Sequence, residues 1–414
     1  MLTSLFPQAH TRYTALPVLG GSLEGLCTWL VNLGYPLSAV RRRVEGAPLF
    51  DKCLQQRDIH SLAGCTAAQL RACFPRQKRW TAQIAYSLGR SLVTYLEERG
   101  ELTVPPPTSS ERLLDAYCHH LGRVRGLAPS RIRLHWSYCA QFLRFLRYDV
   151  NVQCLSEVRI GVLEEFLTET ANRLGRITMQ TVVATLRSFL RFLTLSGIVP
   201  AGLDRQLESP RHYRDERFIR ALSWDDVISL LNTVNRSTVK GTRDYAMLLL
   251  IATYGLRISE VASLQLEDIQ WRARVIRVPR PKIGTPLDMP LTDEVATALL
   301  EYLRHRTREE SERHVFLRVR VPRGPIQPCA VAEAFYFWSK RANVHPPGLG
   351  GPHCLRHALA MHLLRQGTSI KTIGDLLGHR NPESTGIYLR LQVQDLHDVA
   401  LPLPITASCP EVMA

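Results

Sequence analysis

Residues 353–388 read HCLRHALAMHLLRQGTSIKTIGDLLGHRNPESTGIY, and this stretch decides the architecture of the C-terminal half. Apolar residues recur at three- and four-residue spacing over 353–366 and 370–377, which predicts two helices. Gly351-Pro352 would start the first of them, and Gly378 would cap the C-terminus of the second. Two shorter helices are expected at 383–388 and 390–399.

The residues before this stretch predict a mixed region from 214 to 402. Ser223 begins a helix-capping pattern, and helical periodicity over 242–253 and 258–265 is broken at Gly255. Short apolar runs at 275–278 and 287–290 flank a turn that contains Gly284, which indicates a β-hairpin. Helices are predicted again over 292–305 and 330–342. The expected fold class is mainly α with a small β-hairpin or sheet (α+β) in this C-terminal region.

The N-terminal half is predicted to be all α. Residues 105–205 show helical spacing, in segments around 111–125, 130–148, 156–170 and 178–195. Residues 1–104 resemble them at an offset of 92 to 97 residues, and the segment VPPPT at 104–108 separates the two as a stiff linker. This favours a duplicated helical module, although two unrelated small bundles would give the same coarse pattern. Residues 403–414 form a tail without periodicity.

Composition narrows the class of partner. The 414 residues carry a formal net charge of +15, which suggests a polyanionic partner, either nucleic acid or an anionic membrane surface. A basic but ordinary enzyme is the alternative that charge alone leaves open. No apolar run is long enough for a membrane span, and no secretory signal is recognisable, so a cytoplasmic, nucleoid-associated location is expected. The ten cysteines form no C-x-x-C pair, which predicts reduced and mostly buried thiols without a metal site.

The residues able to carry chemistry are concentrated in the C-terminal region. Two arginines, two histidines, one lysine and one tyrosine stand out: Arg257, Lys282, His353, Arg356, His379 and Tyr388. His353 and Arg356 are three apart and would share a helix face near its positive end, where anions bind. Tyr388 follows His379 by nine residues on a separate segment, so it can be positioned independently.

This set of side chains matches what breaking a phosphodiester requires. Two arginines would stabilise charge on the non-bridging oxygens, a tyrosine would supply the nucleophile, and a lysine would protonate the leaving alkoxide. Each residue alone has an ordinary explanation as a surface, turn or packing residue, so the order and spacing together carry the interpretation. The four-residue spacing of His353 and His357 would also suit a metal, but the H-E-x-x-H glutamate is missing.

These motifs resemble those of the tyrosine recombinase (phage integrase) family. The resemblance covers about 214–402 and lies in YGLRISE at 254–260, HCLRH at 353–357, LLGH at 376–379 and the tyrosine at 388. Residues 105–205 resemble the helical core-binding domain of Xer-type and integron-type members. Residues 1–104 resemble, more loosely, the added helical region of transposon-associated members.

The resemblance implies a site-specific DNA recombinase or integrase of a mobile genetic element. Tyr388 would attack the scissile phosphate and form a 3′-phosphotyrosyl intermediate, while Arg257 and Arg356 hold the phosphate. His353 and His379 would assist, and Lys282 would protonate the leaving oxygen. No cofactor or metal is implied. The implied partners are double-stranded DNA and further copies of the chain, as a tetrameric synapse in which sister recombinases can also take part, with no role for a membrane.

Three features depart from the family pattern. Tyr254 stands where threonine is common, and PKIG at 281–284 replaces the usual glycine-lysine-glycine around the lysine. Residues 1–104 have no counterpart in minimal members, and their run Arg41-Arg42-Arg43 would either contact phosphate or form a solvated helix face.

Two other functions compete with recombination: a type IB topoisomerase, which places its tyrosine far beyond the histidine, and a non-catalytic DNA-binding or architectural relative.

Overall fold

The computed structural model describes residues 1–75, 79–211, 221–279, 286–306, 312–346, 351–378 and 388. The chain forms two compact units: residues 1–49, 78–88 and 217–414 make one, and residues 50–77 and 89–216 make the other. The domain boundaries predicted from the sequence, and the duplication of the helical module, stay predictions. No helix of the described residues is both long and apolar enough to span a bilayer.

The first hundred residues are helical, as predicted. Seven helices are described there: α1 (Leu2–Leu5), α2 (His10–Thr14), α3 (Gly20–Asn32), α4 (Leu37–Val44), α5 (Ala47–Gln55), α6 (Ala67–Ala72) and α7 (Trp80–Glu98). Helix α6 begins with a capping box in which Thr66 and Gln69 satisfy each other's backbone donors. Gly46 lies against α7, where an added Cβ would stand 2.6 Å from the nitrogen of Ala85, so only glycine allows this approach.

The second helical segment comprises α8 (Ser109–Arg123), α9 (Pro129–Phe145), α10 (Ile160–Ala171), α11 (Arg176–Leu195) and α12 (Leu203–Gln206). These helices confirm the predicted segments and enclose one apolar core. The core contains a polar chain in which the Tyr117 hydroxyl donates to Ser188 at 2.8 Å and is hydrogen-bonded to His135 at 2.9 Å. Arg125 donates to the same serine, so the buried hydroxyl groups are paired.

The C-terminal region is built around helix α14. The elements described there are α13 (Trp224–Thr233), α14 (Val239–Tyr254), α15 (Ile258–Ser263), β1 (Ile269–Gln270), β2 (Val275–Val278), β3 (Leu287–Pro290), α16 (Asp293–His305), α17 (Pro328–Arg341), α18 (His353–Arg365) and α19 (Ile370–Leu377). Helix α14 contacts α13, α15, α16, α17 and α18, which explains why its apolar residues are buried on all sides. The predicted α+β fold class is confirmed.

The sheet has one strand more than predicted. Strands β2 and β3 form the predicted antiparallel hairpin, with Val275 opposite Pro290 and Val278 opposite Leu287. The additional strand β1 pairs antiparallel with β2 at the other edge. Two residues are too short a run for alternation to be visible in the sequence. The turn with Lys282 and the segments predicted as helices at 383–388 and 390–399 lie outside the described residues, except for Tyr388.

A buried ion network fixes the N-terminus of α14. Asp244 is fully buried and accepts hydrogen bonds from Lys240 at 2.8 Å, from Arg243 at 2.8 Å and from the indole of Trp338 on α17 at 3.0 Å. Arg243 also donates to the carbonyl of Leu317 at 3.1 Å. Several donors therefore satisfy one buried carboxylate, the condition under which burying a charge is tolerated.

Gly255 ends α14 in the left-handed region at φ +63°, and an added Cβ would lie 2.6 Å from Cδ2 of Leu377. We expect Gly255→Ala to lower the free energy of unfolding by about 3 kcal/mol, since backbone strain and overpacking add. Gly367→Ala is the matched control, because Gly367 also has positive φ but open space around its Cα. That control should cost about 1 kcal/mol. Equal losses for the two variants in urea denaturation would contradict the packing argument.

Candidate active site

Arg356 is the buried centre of the site. It lies on α18 with 4% of its surface exposed. Its guanidinium donates to the carbonyl oxygen of Gly255, at the end of α14, and to that of Leu377, at the end of α19. Helix C-termini carry partial negative charge, so two of them converge on this cation. Arg356 thus links three helices, and Gly255 and Gly378 provide the left-handed turns that end two of them.

Arg257 reaches the same place from α15. Its guanidinium donates to Oε1 of Glu260 at 2.7 Å, and its backbone N–H donates to Oε2 of the same carboxylate at 2.8 Å. A third, longer bond of 3.5 Å runs from the guanidinium to the carbonyl of Gly378. The buried Glu260 therefore fixes the direction of the Arg257 side chain, which keeps 27% of its surface exposed. Both arginines contact the end of α19, so the structure brings them together.

His353 occupies the first position of α18 and is exposed. It lies one helical turn before Arg356, at the helix end where backbone N–H groups point outward and favour an anion. The predicted helix start is confirmed, since Pro352 is the N-cap residue. Lys282 and His379, the two other residues predicted for the site, lie outside the described residues.

Tyr388 is buried, with 1% of its surface exposed. It packs among apolar residues of α18 and α19, namely Ala360, Met361, Leu364, Ile373 and Leu377. Burial raises the pKa of its hydroxyl to about 12, and the charge of Arg356 opposes that rise. The phenol is therefore neutral at ordinary pH. In this arrangement its oxygen faces protein and cannot reach a phosphate on the surface.

The sequence analysis did not include His357 in the site. Its Nδ1 is hydrogen-bonded to the Tyr388 hydroxyl at 2.9 Å, and the two rings lie 5.7 Å apart between centroids. Burial lowers the pKa of His357 to about 4, and the nearby His353 and Arg356 add to this effect. The imidazole is thus neutral at pH 7. The sequence signal was its place in the HCLRH motif, but its spacing to Tyr388 gave no reason to pair them.

Tyr254 replaces the more common threonine and has a structural role. Its hydroxyl donates to the carbonyl of Pro290 at 2.6 Å and accepts from the backbone N–H of Thr292 at 3.2 Å. It therefore connects the end of α14 to the junction of β3 and α16. The described residues contain no group of three or more histidine, cysteine or acidic side chains placed to bind a metal.

The lowered pKa of His357 makes stability depend on pH. The unfolded chain binds a proton at this histidine near its ordinary pKa of 6.5, whereas the folded chain does so only near 4. Stability is therefore lost as the pH falls through this window, by about 3 kcal/mol from this group. His357→Asn, which cannot titrate, should show a flatter decline in urea denaturation between pH 6.5 and 4. His305→Asn, at an exposed position, is the control. A slope unchanged in His357→Asn would contradict the assignment.

Comparisons with known proteins assign the chain to a family. Residues 220–395 match the phage integrase family. The y4rA protein of Sinorhizobium fredii (strain NBRC 101917 / NGR234), whose name classes it as an integrase/recombinase, is 33% identical over 384 residues. That alignment covers 91% of this chain and 92% of the relative. The tyrosine recombinase XerC of Psychromonas ingrahamii is 28% identical over 69% of this chain and 94% of its own length.

Solved structures share the fold. The XerH site-specific recombinase, solved bound to its difH substrate, matches with a TM-score of 0.54 at 14% identity, over 80% of this chain and 93% of that chain. The lambda integrase tetramer bound to a Holliday junction matches with a TM-score of 0.53 at 16% identity, over 74% of this chain and 86% of that chain. The chain belongs to the phage integrase family and is a tyrosine-type site-specific DNA recombinase.

Proposed function

We propose that Tyr388 is the nucleophile with which this recombinase breaks and rejoins DNA strands. The observation that supports this most directly is the convergence of Arg257, Arg356 and Tyr388 at α18 and the end of α19. Two permanently charged guanidiniums suit a scissile phosphate, and a tyrosine packed against the same helix as Arg356 suits an attack on it. His353, at the start of α18, completes the anion site.

The reaction balances without a cofactor. The Tyr388 hydroxyl gives up its proton to water as its oxygen forms a bond to phosphorus. The bond from phosphorus to the 5′ oxygen breaks at the same time, which leaves a 3′-phosphotyrosyl ester and a 5′ hydroxyl. Lys282 would donate the proton that the leaving oxygen takes up, and His379 would assist at the phosphate. The ester conserves the energy of the broken bond. Attack by the 5′ hydroxyl of another strand then reverses the step and restores Tyr388.

In the proposed mechanism Tyr388 starts from the buried position against α18, in which its hydroxyl is hydrogen-bonded to the neutral imidazole of His357. The side chain must leave this position before it attacks, because 1% exposure excludes contact with a phosphate on the surface. We propose that DNA in the site of Arg257 and Arg356 favours the released state by offering the phosphate as a new partner.

The partners we propose are double-stranded DNA and other copies of this chain. The net charge of +15 supports a polyanionic partner. Solved relatives are described as a dimer on a core site and as a tetramer on a Holliday junction. A tetrameric synapse on two duplexes is the arrangement that we propose here as well, and integration or transposition of a mobile element is the proposed biological setting.

Trapping of the covalent intermediate tests the role of Tyr388. Full-length protein incubated without metal with DNA from the ends of its host element should form a protein–DNA adduct on a denaturing gel. Tyr388→Phe should form none, because it lacks the attacking oxygen. Tyr302→Phe is the matched control, since it removes a hydroxyl from another buried tyrosine of the same unit, and it should keep the adduct. An adduct with Tyr388→Phe would assign the nucleophile elsewhere. No adduct from wild-type protein on DNA that it binds would favour the non-catalytic alternative.

Substitution of Arg257 tests its proposed contact with the scissile phosphate. Arg257→Lys keeps the charge but loses the two-pronged donor geometry and its fixed bond to Glu260. Adduct formation should slow by roughly 10²–10³-fold, as is typical when one transition-state donor is removed. DNA affinity should change little. Arg277→Lys, at an exposed ion pair with Asp288, is the control and should cleave at the wild-type rate. Equal rates in the two variants would remove Arg257 from the phosphate site.

A further inference from the structure

Helix α4 carries three consecutive arginines that the catalytic site does not use. Each guanidinium lies over a different aromatic ring: Arg41 over Phe6 at 5.4 Å, Arg42 over Trp80 at 5.1 Å and Arg43 over Tyr35 at 4.2 Å. All six residues belong to the same compact unit. Consecutive helical positions point in different directions, so three separate rings are needed to hold three such side chains. This repeated pairing distinguishes the run from an ordinary solvated helix face.

Two of these arginines share a cavity with an exposed tryptophan. Arg42, Arg43, Trp80 and Gln83 line a space of about 300 Å³ between α4 and the start of α7. Trp80 has 55% of its surface exposed, which is unusual for so large an apolar side chain. The cavity thus combines two cations, one aromatic face and one amide.

The charges in this cavity have little compensation from the protein. Within the described residues, the run has one ion pair, from Arg41 to Glu45 at 3.9 Å, and it does not involve the two arginines that line the cavity. The buried Nε of Arg43 has no hydrogen-bond partner among the described residues. Its terminal nitrogen makes only a long bond of 3.4 Å to the carbonyl of Ala39. The buried Nε is closed to solvent, so a ligand with acceptor oxygens would bind the terminal nitrogens of Arg42 and Arg43 at the cavity.

A guanidinium held beside an aromatic ring keeps its charge and its fork of N–H donors. That fork suits paired hydrogen bonds to phosphate oxygens. A tryptophan face beside the arginines suits the apolar side of a deoxyribose, because the sugars of a duplex lie beside the phosphates whereas the faces of the bases are covered by their neighbours. The cavity therefore combines phosphate donors with an apolar surface, which matches a sugar–phosphate backbone.

We propose that Arg42, Arg43 and Trp80 form an accessory DNA-binding site in the N-terminal helical segment, separate from the catalytic residues. The two arginines bind backbone phosphates, and Trp80 contacts the adjoining deoxyribose. This inference rests on the proposed function only in that DNA is the polyanion involved. It gives residues 1–104 a role in affinity and in the length of DNA that one copy covers.

The test measures DNA affinity against salt with full-length protein. The probes are a duplex that spans an end of the host element and a scrambled duplex of equal length. Arg42→Gln/Arg43→Gln should bind both more weakly, and the slope of log K against log salt should fall by about 1.8, since each phosphate contact contributes about 0.9. Arg12→Gln/Arg90→Gln removes the same charge at exposed positions of the same segment and should keep the wild-type slope within about 0.5.

Two further variants separate binding from misfolding. Arg42→Lys/Arg43→Lys keeps the charge, so the slope of log K against log salt should change little. Affinity should still fall, because lysine lacks the two parallel donors of a guanidinium. Trp80→Ala should weaken binding, and Trp80→Phe should restore most of it. A glutamine pair with the wild-type slope and affinity would overturn the proposal. The proposal would also be overturned if the glutamine pair bound DNA as the wild-type protein does but had lost affinity for an acidic peptide.

The outcome is independent of the nucleophile assignment. The arginine variants should still form the covalent adduct on a short core duplex at low salt, since Tyr388 and its partners are untouched. An adduct at the wild-type rate together with a reduced salt slope supports both proposals. Unchanged binding by the variants, with a normal adduct, rejects only the accessory site. A missing adduct in wild-type protein rejects only the role of Tyr388.

Discussion

The pair of hydrogen bonds from Arg356 to the carbonyls of Gly255 and Leu377 is the constraint on which the catalytic region depends. A buried cation is costly unless it is paired, and here two helix C-termini provide the compensating partial charge. Without the guanidinium, the same two helix ends would place their unsatisfied carbonyls against each other. The arginine therefore has a structural and a proposed chemical role, so its substitution will affect folding and cleavage together. Arg257, which is more exposed, is the better residue for testing chemistry alone.

The residues of the site differ in how deeply they are buried, and each difference has a physical reason. The arginines need fixed directions, which Glu260 and the two helix ends supply. The proposed nucleophile, Tyr388, has to be kept from reacting until a phosphate is present, and in our proposal its burial against α18 and its bond to His357 do this. A phenol whose pKa is raised to about 12 is a weak nucleophile where it lies. Release and activation are thus coupled in the proposed mechanism, because leaving the apolar cluster removes the cause of the raised pKa.

Recombination also requires tight binding of a long stretch of DNA, and we propose that different arginines serve binding and chemistry. Arg257 and Arg356 are bonded to carbonyls and a carboxylate, and in the proposed mechanism they act at one phosphate. Arg42 and Arg43 are supported by aromatic rings instead, which orient a guanidinium without neutralising it. In the proposed accessory site this leaves their charge available to DNA. The two kinds of support correspond to two kinds of contact, one chemical and one that provides affinity.

The sequence alone determined the helices, their caps and the fold class, because these depend on local periodicity and on residues such as Ser223, Gly255 and Gly378. It also placed Arg257, His353, Arg356 and Tyr388 in one proposed site, since the order and spacing of their motifs match those of one family. It could not show the strand β1, which is too short to have a pattern. Only the tertiary structure decided that His357 meets Tyr388, and that Trp80 lies over Arg42. Those pairs join residues far apart in the chain, and their contact depends on how helices pack rather than on spacing.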